Sequence, residues 1–257
     1  MIMPRRVVFE GAKRLHVLNL ANTGKDTARY VISFLHYRMR EDGSFEQMDA
    51  ADSSGNFADK YVRFFPRSVV LGPNEAQSVR IQLRRPSQIP PGEYRSHLYF
   101  RAVPDENPLG DKTGKADSSE VAVRLVPVFG ISVPVIIRVG KSNTEVSITA
   151  SSIEMADTDT RLLKMTLNRK GNMSVYGNIT VAHISPKGKV TEVAAIRGLA
   201  VYTPNSARQM KIALDNTRGV DYSNGKLHIV YKTPADVIPA DTLAETSFWL
   251  QDTAFQE

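Results

Sequence analysis

Apolar and polar residues alternate along almost the whole chain, and the longest such run lies near its middle. From Val121 to Ile137, every odd-numbered position is apolar. Successive side chains of a β-strand point to opposite faces, so this run predicts a strand with one continuous apolar face. An average strand has about five or six residues, so the run is longer than one small β-sandwich needs. The surplus length predicts that something outside the domain uses part of this strand.

Further runs of the same period predict seven strands in the first half of the chain and eight in the second. Turns rich in Gly, Pro and Asn separate them. The predicted strands are 6–9, 15–21, 30–37, 62–65, 77–83, 94–102 and the run from 121, followed by 146–150, 162–167, 175–184, 189–194, 199–202, 208–214, 227–232 and 247–250. No segment keeps the apolar spacing of an amphipathic helix for three turns. The pattern predicts an all-β chain with one sandwich in each half.

The short polar segment Gly140–Asn143 separates the two halves. We therefore expect one domain over residues 1–139 and a second over residues 140–257. Two long polar loops are predicted in the first domain, Gly43–Lys60 and Pro104–Glu120, and the second loop directly precedes the long strand. Loops of this length are often functional or mobile.

Composition excludes several classes of protein. With 42% hydrophobic residues in 257, the chain is expected to be globular rather than disordered. Its net charge of +6 comes mostly from residues 1–139, with 20 basic against 15 acidic groups, but no nucleic-acid-binding motif accompanies this excess. We therefore do not expect nucleic-acid binding. We also do not expect insertion into a membrane, because no apolar run approaches about 20 residues. The sequence as written shows no signal peptide and is consistent with a mature form.

The sequence contains no recognisable catalytic or metal-binding motif. It lacks cysteine, so disulfides and thiolate metal sites are impossible. Its five histidines are isolated from one another, and the acidic cluster at Asp157 and Asp159 does not have the spacing of a calcium loop. Neither a nucleophile elbow nor a phosphate-binding glycine loop is present. We expect no enzymatic activity, no catalytic residue, no metal and no cofactor.

The start of the long strand offers an apolar edge that a partner could use. Val121, Val123 and Leu125 would form a stripe on one face of this strand. An exposed edge of this kind favours aggregation unless it is covered, and a partner strand can cover it, with main-chain hydrogen bonds for affinity and alternate side chains for selectivity. The same edge would allow two copies of the chain to pair. A purely structural interpretation, in which these residues close the first sandwich, is also open.

Five blocks of the first half resemble one known family. They are PRRVVFEG at 4–11, LHVLNLANTG at 15–24, FPRSVVLGPNEAQSVRIQLRRP at 65–86, GEYRSHLYFRAVP at 92–104 and FGISVPVIIRVGK at 129–141. In their order and spacing, these blocks resemble the PapD-like periplasmic chaperones of pilus and fimbria assembly. The second half contributes a predicted sandwich but no motif of comparable specificity.

The resemblance implies two immunoglobulin-like domains in an L-shaped (boomerang) arrangement and a non-enzymatic function in the periplasm. Such chaperones bind pilin, fimbrial or adhesin subunits that lack their last strand, lend them a strand of the first domain, and deliver them to an outer-membrane usher without a cofactor or ATP. In this sequence the lent side chains would be those of Val121, Val123 and Leu125, with Pro104–Glu120 ordered beside them.

The family also anchors the subunit's terminal carboxylate through an arginine of the first strand and a lysine of the last. Arg6 matches the arginine, and its guanidinium could form paired, charge-assisted hydrogen bonds with a carboxylate. Ser132 stands where the lysine is expected. Three interpretations are open: Ser132 donates a neutral hydrogen bond beside Arg6, Arg95 or Arg138 replaces the lysine, or no carboxylate is anchored here. The candidates rank in the order Arg6, Ser132, Arg95.

One alternative function belongs to a different class. Tandem β-sandwiches also form extracellular adhesive or structural modules, which would bind through loops such as Gly43–Lys60 and not through a strand edge.

Overall fold

The computed structural model describes residues 1–48, 55–84, 86–104, 128–157, 160–234 and 241–250. Two compact units are present: unit 1 comprises Met1–Tyr37 and Gln47–Val139, and unit 2 comprises Arg38–Glu46 and Gly140–Glu257. The predicted assignment of residues 1–139 and 140–257 to two domains stays a prediction. Within the described residues, no helix is both long and apolar enough to cross a membrane.

Almost all regular structure is β. The strands are β1 (Ile2–Met3), β2 (Val7–Phe9), β3 (Leu15–Ala21), β4 (Ala28–Met39), β5 (Phe45–Met48), β6 (Val62–Phe65), β7 (Ser68–Leu71), β8 (Ala76–Leu83), β9 (Gly92–Val103), β10 (Gly130–Val139), β11 (Glu145–Met155), β12 (Arg161–Lys170), β13 (Val175–Ile184), β14 (Val190–Val201), β15 (Ala207–Leu214), β16 (Lys226–Lys232) and β17 (Thr242–Trp249). Two short 3₁₀ turns, Asp59–Tyr61 and Pro86–Gln88, complete the described elements.

Unit 1 is a sandwich of two sheets. The smaller sheet has the strand order β1-β3-β8-β6, and the larger has the order β2-β10-β9-β4-β5 with β7 also paired to β4. Alternate residues of both sheets point inward, as in other face-to-face sandwiches. The most deeply buried of these include Val7, Leu18, Val79, Ile81, Leu98, Phe100, Val135 and Ile137.

Unit 2 is a second sandwich. A three-stranded sheet, β11-β12-β15, packs on a four-stranded sheet of order β14-β13-β16-β17. Its core includes Leu163, Leu167, Val181, Leu227, Ile229 and Tyr231, none of them measurably exposed. The hydroxyl of Tyr231 donates a hydrogen bond of 2.8 Å to the carbonyl of Leu199, so this buried polar group has its partner.

The structure confirms the all-β prediction and corrects it in detail. The bounds of β3 and β6 are those predicted, but β1, β5 and β7 were missed, and β5 lies inside the segment predicted as the loop Gly43–Lys60. The predicted strands 189–194 and 199–202 are one strand, β14. Its pairing with β13 shifts register twice, and an extra residue at a bulge breaks the alternation that predicts a strand.

Candidate functional site

The start of β10 has one unpaired edge. Along its whole length β10 pairs antiparallel with β9, from Gly130 opposite Arg101 to Val139 opposite Gly92. Its other edge pairs in parallel with β2 only over Val135–Ile137. Among the described residues, no strand pairs with this edge over positions 130–134.

Apolar side chains continue past the core at this edge. Val133, Val135 and Ile137 are buried in the core of unit 1. Phe129 and Ile131 have the same odd register and therefore point to the same face, yet they are 74% and 49% exposed. The predicted apolar stripe thus extends beyond the part of the strand that the sandwich covers.

Gly130 lets a tyrosine ring pack closely on this strand. A Cβ at position 130 would overlap the side chain of Tyr99. Tyr99 is the residue of β9 that faces Ser132. Any larger residue at position 130 would displace the ring, so the glycine is needed for the close approach.

A pocket of about 300 Å³ adjoins the open edge. Its lining consists of Met1, Ile2, Arg5, Ile131, Ser132 and Val133. Ser132 is exposed, and the exposed Arg5 contributes a cation to the same pocket. The sequence analysis did not identify Arg5 as a site residue. The Arg5-Arg6 pair could have indicated it, because alternation directs neighbouring side chains of an extended segment to opposite sides.

Arg6 directly precedes β2 and is half-buried. Its neighbour Val7 pairs with Val135 of β10, so continuing the register places Arg6 level with Pro134. Ser132 is two positions further along β10. The topology therefore brings Arg6 and Ser132 to adjacent strands, as the predicted anchor requires.

Arg95 is separated from Ser132. It faces Ile136, four positions along β10 from Ser132, which corresponds to roughly 13 Å of strand. Its guanidinium donates a hydrogen bond of 3.2 Å to the carbonyl of Tyr37. Alternation along β9 places Arg95 on the face opposite Leu98 and Phe100, yet it is only 7% exposed.

Arg138 already has carboxylate partners. Its Nε donates to Glu93 Oε2 at 3.0 Å, and its Nη1 lies 3.8 Å from Glu10 Oε2. The Glu93 side chain is fully buried, so it requires this cation. Arg138 therefore serves an internal ion pair and is a poor substitute for the missing lysine.

The structure does not describe the residues predicted to be donated to a subunit, which are Val121, Val123 and Leu125. The loop Pro104–Glu120 also lies outside the described residues after its first residue. Their roles stay predictions. The same apolar stripe continues at Phe129 and Ile131, which the structure does describe.

A serine, a histidine and an aspartate lie close together in unit 1. The hydroxyl of Ser96 lies 3.2 Å from Nδ1 of His36, whose Nε2 lies 3.7 Å from Oδ2 of Asp59. Ser96 is fully buried, and its oxygen accepts hydrogen bonds from the backbone N–H groups of Ala58 and Asp59. The cluster therefore links residues 58–59 to β9.

His97 of β9 is a buried histidine whose pKa is strongly lowered. Burial is the main cause, and Arg95 and His36 add to it, so that the pKa of His97 falls to about 3. Its ring packs edge-on against Tyr37, with 4.9 Å between ring centroids. Within the part of the chain that the structure describes, no three His, Asp or Glu side chains are grouped as a metal site would need.

Comparison with known proteins finds similarity in structure but not in sequence. No protein-family model and no curated protein matches the sequence. A chain from the chaperone–tip adhesin complex of CFA/I fimbriae biogenesis has a TM-score of 0.50 and 13% identity, with 97% of each chain covered. The YadV chaperone has a TM-score of 0.49 at 10% identity, covering 97% of this chain and 98% of its own. The Pseudomonas aeruginosa CupB2 chaperone has a TM-score of 0.45 at 14% identity, covering 94% and 97%.

At these identities the likeness concerns the fold. The first of the three reaches a TM-score of 0.50 over 97% of both chains, and it matches the two β-sandwiches that the sequence predicts. In fold, therefore, the chain is similar over nearly its whole length to the fimbrial chaperones of the PapD type.

Proposed function

We propose that this chain is a periplasmic chaperone that binds pilus, fimbrial or adhesin subunits by lending them the strand that includes β10, and delivers them to an outer-membrane usher. One observation carries the proposal. Phe129 and Ile131 are exposed, in register with the core, on a strand whose second edge is unpaired over positions 130–134. The similarity in fold to a chain of a chaperone–tip adhesin complex supports this class of partner.

Strand addition would use both properties of this edge. A partner segment beside Gly130–Pro134 gains main-chain hydrogen bonds, while Phe129 and Ile131 enter its incomplete core. Full burial of such side chains contributes about 1.5–3 kcal/mol each before the cost of ordering the partner. Val121, Val123 and Leu125 would extend the same stripe by the predicted register. No step requires a cofactor or ATP, since burial of the subunit's own apolar surface drives it.

The anchor for a subunit's terminal carboxylate is proposed at the pocket beside this edge. Ser132 lines that pocket together with Arg5, and Arg6 follows in the chain. A guanidinium binds a carboxylate through two parallel hydrogen bonds, and a serine hydroxyl can donate a third. Arg5 or Arg6 would supply the charge, Ser132 would replace the family's lysine, and Arg95 is retained only as the third candidate.

A capture experiment tests the strand edge. Tagged wild type, Phe129→Asp and, as a matched control, Val190→Asp are incubated with periplasmic extract of the producing cells, and bound proteins are identified by mass spectrometry. Val190 is 64% exposed and belongs to unit 2. We expect wild type and Val190→Asp to retain a small surface subunit lacking its last strand, and Phe129→Asp to lose it, because an unpaired charge cannot enter an apolar pocket.

Equal capture by Phe129→Asp, with its fold intact by circular dichroism, would contradict strand lending. Absence of any such subunit would favour the adhesive or structural module.

A second prediction concerns the anchor. Loss of one charge-assisted hydrogen-bonding group typically costs about 1.5–3 kcal/mol, so removing the arginine that binds the carboxylate should weaken affinity about 10- to 100-fold. Arg5→Ala and Arg6→Ala are each titrated with the captured subunit by calorimetry, and Lys25→Ala, an exposed loop change in unit 1, serves as the control. Unchanged affinity in both arginine variants would exclude a carboxylate anchor here.

A further inference from the structure

The outer face of the smaller sheet of unit 1 combines apolar and arginine side chains. Two rows of paired residues cross this face from β3 through β8 to β6. The first row is Leu15, Gln82 and Arg63, and the second is Val17, Arg80 and Phe65. We call these six residues the arginine face. All six are exposed and alternate with the buried core residues of β3, β6 and β8.

Its apolar side chains are exposed to an unusual degree. Phe65 is 74% exposed, Leu15 50% and Val17 39%. Single exposed apolar residues need no explanation, whereas a contiguous group on one sheet face often marks an interaction surface. Here, Val17 and Phe65 lie on either side of Arg80 in one row, so the group is contiguous.

The charge of the face has one sign. The four strands of this sheet, β1, β3, β6 and β8, contain arginine but no aspartate, glutamate or lysine. Among the described residues, no carboxylate lies within 4 Å of Arg63 or Arg80. The three-stranded sheet of unit 2 differs, because there Glu154 bonds to both Lys164 and Lys211 and neutralises much of its positive charge.

The composition favours a protein partner over a lipid surface. Protein interfaces are enriched in arginine and aromatic residues and depleted in lysine, which is the composition of this face. Guanidinium groups also bind the planar carboxylates of Asp and Glu through paired hydrogen bonds. Gln82, in the same row as Arg63, adds amide hydrogen-bonding groups to the surface.

We propose that the arginine face is a second docking surface, specific for an acidic and partly apolar protein surface and separate from the strand edge of β10. The three strands β3, β6 and β8 and the two rows of outward residues span roughly 200 Å². That is about a quarter of what one partner contributes to a standard interface, so the complex is expected to be weak and transient. The proposal does not depend on strand lending, because it concerns the other sheet of the sandwich.

A photo-crosslinking experiment tests this surface. Benzoylphenylalanine is introduced at Gln82 of the full chain in the producing cells, and adducts formed on irradiation are identified by mass spectrometry. The protein identified is then purified, and its binding to wild type and variants is measured at 50 and 500 mM salt. Arg80→Glu is the test variant, Lys25→Glu is the charge-matched control on an exposed loop, and Phe129→Asp reports on the strand edge.

We expect an adduct with an acidic protein whose affinity falls about tenfold or more with Arg80→Glu and falls with salt, but is unchanged by Lys25→Glu and Phe129→Asp. Replacing the partner's contacting carboxylate by lysine should restore binding to Arg80→Glu. Absence of an adduct, or affinity independent of Arg80, would overturn the proposal. So would Arg80-dependent flotation with vesicles of phosphatidylcholine and phosphatidylglycerol in place of protein binding, since it would assign the face to a membrane.

Discussion

β10 of unit 1 and β16 of unit 2 have similar alternating patterns but very different surroundings. β16 pairs with β13 along one edge and with β17 along the other for its whole length, and Leu227, Ile229 and Tyr231 are fully buried. Within the part of the chain that the structure describes, three residues of β10 are paired on its second edge, and its apolar face extends into solvent at Ile131 and Phe129. The comparison shows that an alternating apolar strand is fully buried where strands pair along both of its edges and is partly exposed where one edge is paired over three residues.

The largest expected effect contrasts the same substitution in the two strands. Ile229→Ala removes a fully buried side chain from β16 and should lower the free energy of unfolding of unit 2 by about 3 kcal/mol, within the 2–5 kcal/mol usual for core truncations. Ile131→Ala removes a half-exposed side chain from β10 and should change stability by less than about 0.5 kcal/mol. Denaturant unfolding, with fluorescence and circular dichroism followed together, measures both.

If Ile131→Ala destabilised the free protein as much as Ile229→Ala, the apolar stripe at the start of β10 would belong to the core. Its availability for strand lending would then be in doubt. A small effect on stability together with reduced subunit capture would sharpen the contrast between the two strands.

A smaller effect on stability is expected from the titration of His97 in unit 1. The pKa of His97 is about 3 in the folded chain, mainly because the side chain is buried, against 6.5 for an ordinary histidine. The folded state therefore binds fewer protons than the unfolded state between these values, so stability is complete above pH 6.5 and is lost as the pH falls toward 3. Between pH 7 and 5 this one group should cost about 2 kcal/mol, and His97→Gln should remove that loss.

Unfolding curves at several pH values between 5 and 7 measure this loss, because few carboxyl groups titrate in that range. His228→Gln replaces a half-buried histidine of β16 and serves as the comparison variant. An unaltered slope in His97→Gln would show that His97 does not govern the pH dependence of stability.

The sequence predicted strands best where alternation is strict and neighbours are regular. β3 and β6 have their predicted bounds, while the two fragments predicted at 189–194 and 199–202 belong to one bulged strand. β1 and β7 were missed because two to four residues are too few to show a period. At the site, the register of the apolar stripe could be predicted, but the pocket formed by Arg5 and Ser132 could not, because those residues are far apart in the chain.

The sequence by itself determined the all-β class, the period-two stripe through Phe129, Ile131 and the core residues of β10, and the excess of positive charge in the first half. These are local properties, since alternation and composition need no knowledge of neighbours. Only the tertiary structure decided that β2 pairs with three residues of β10, that Arg95 is buried, and that, among the described residues, no carboxylate lies within 4 Å of Arg63 or Arg80 on their shared face. Strand order and register bring together residues that are distant in the chain, and no local pattern encodes which edges remain unpaired.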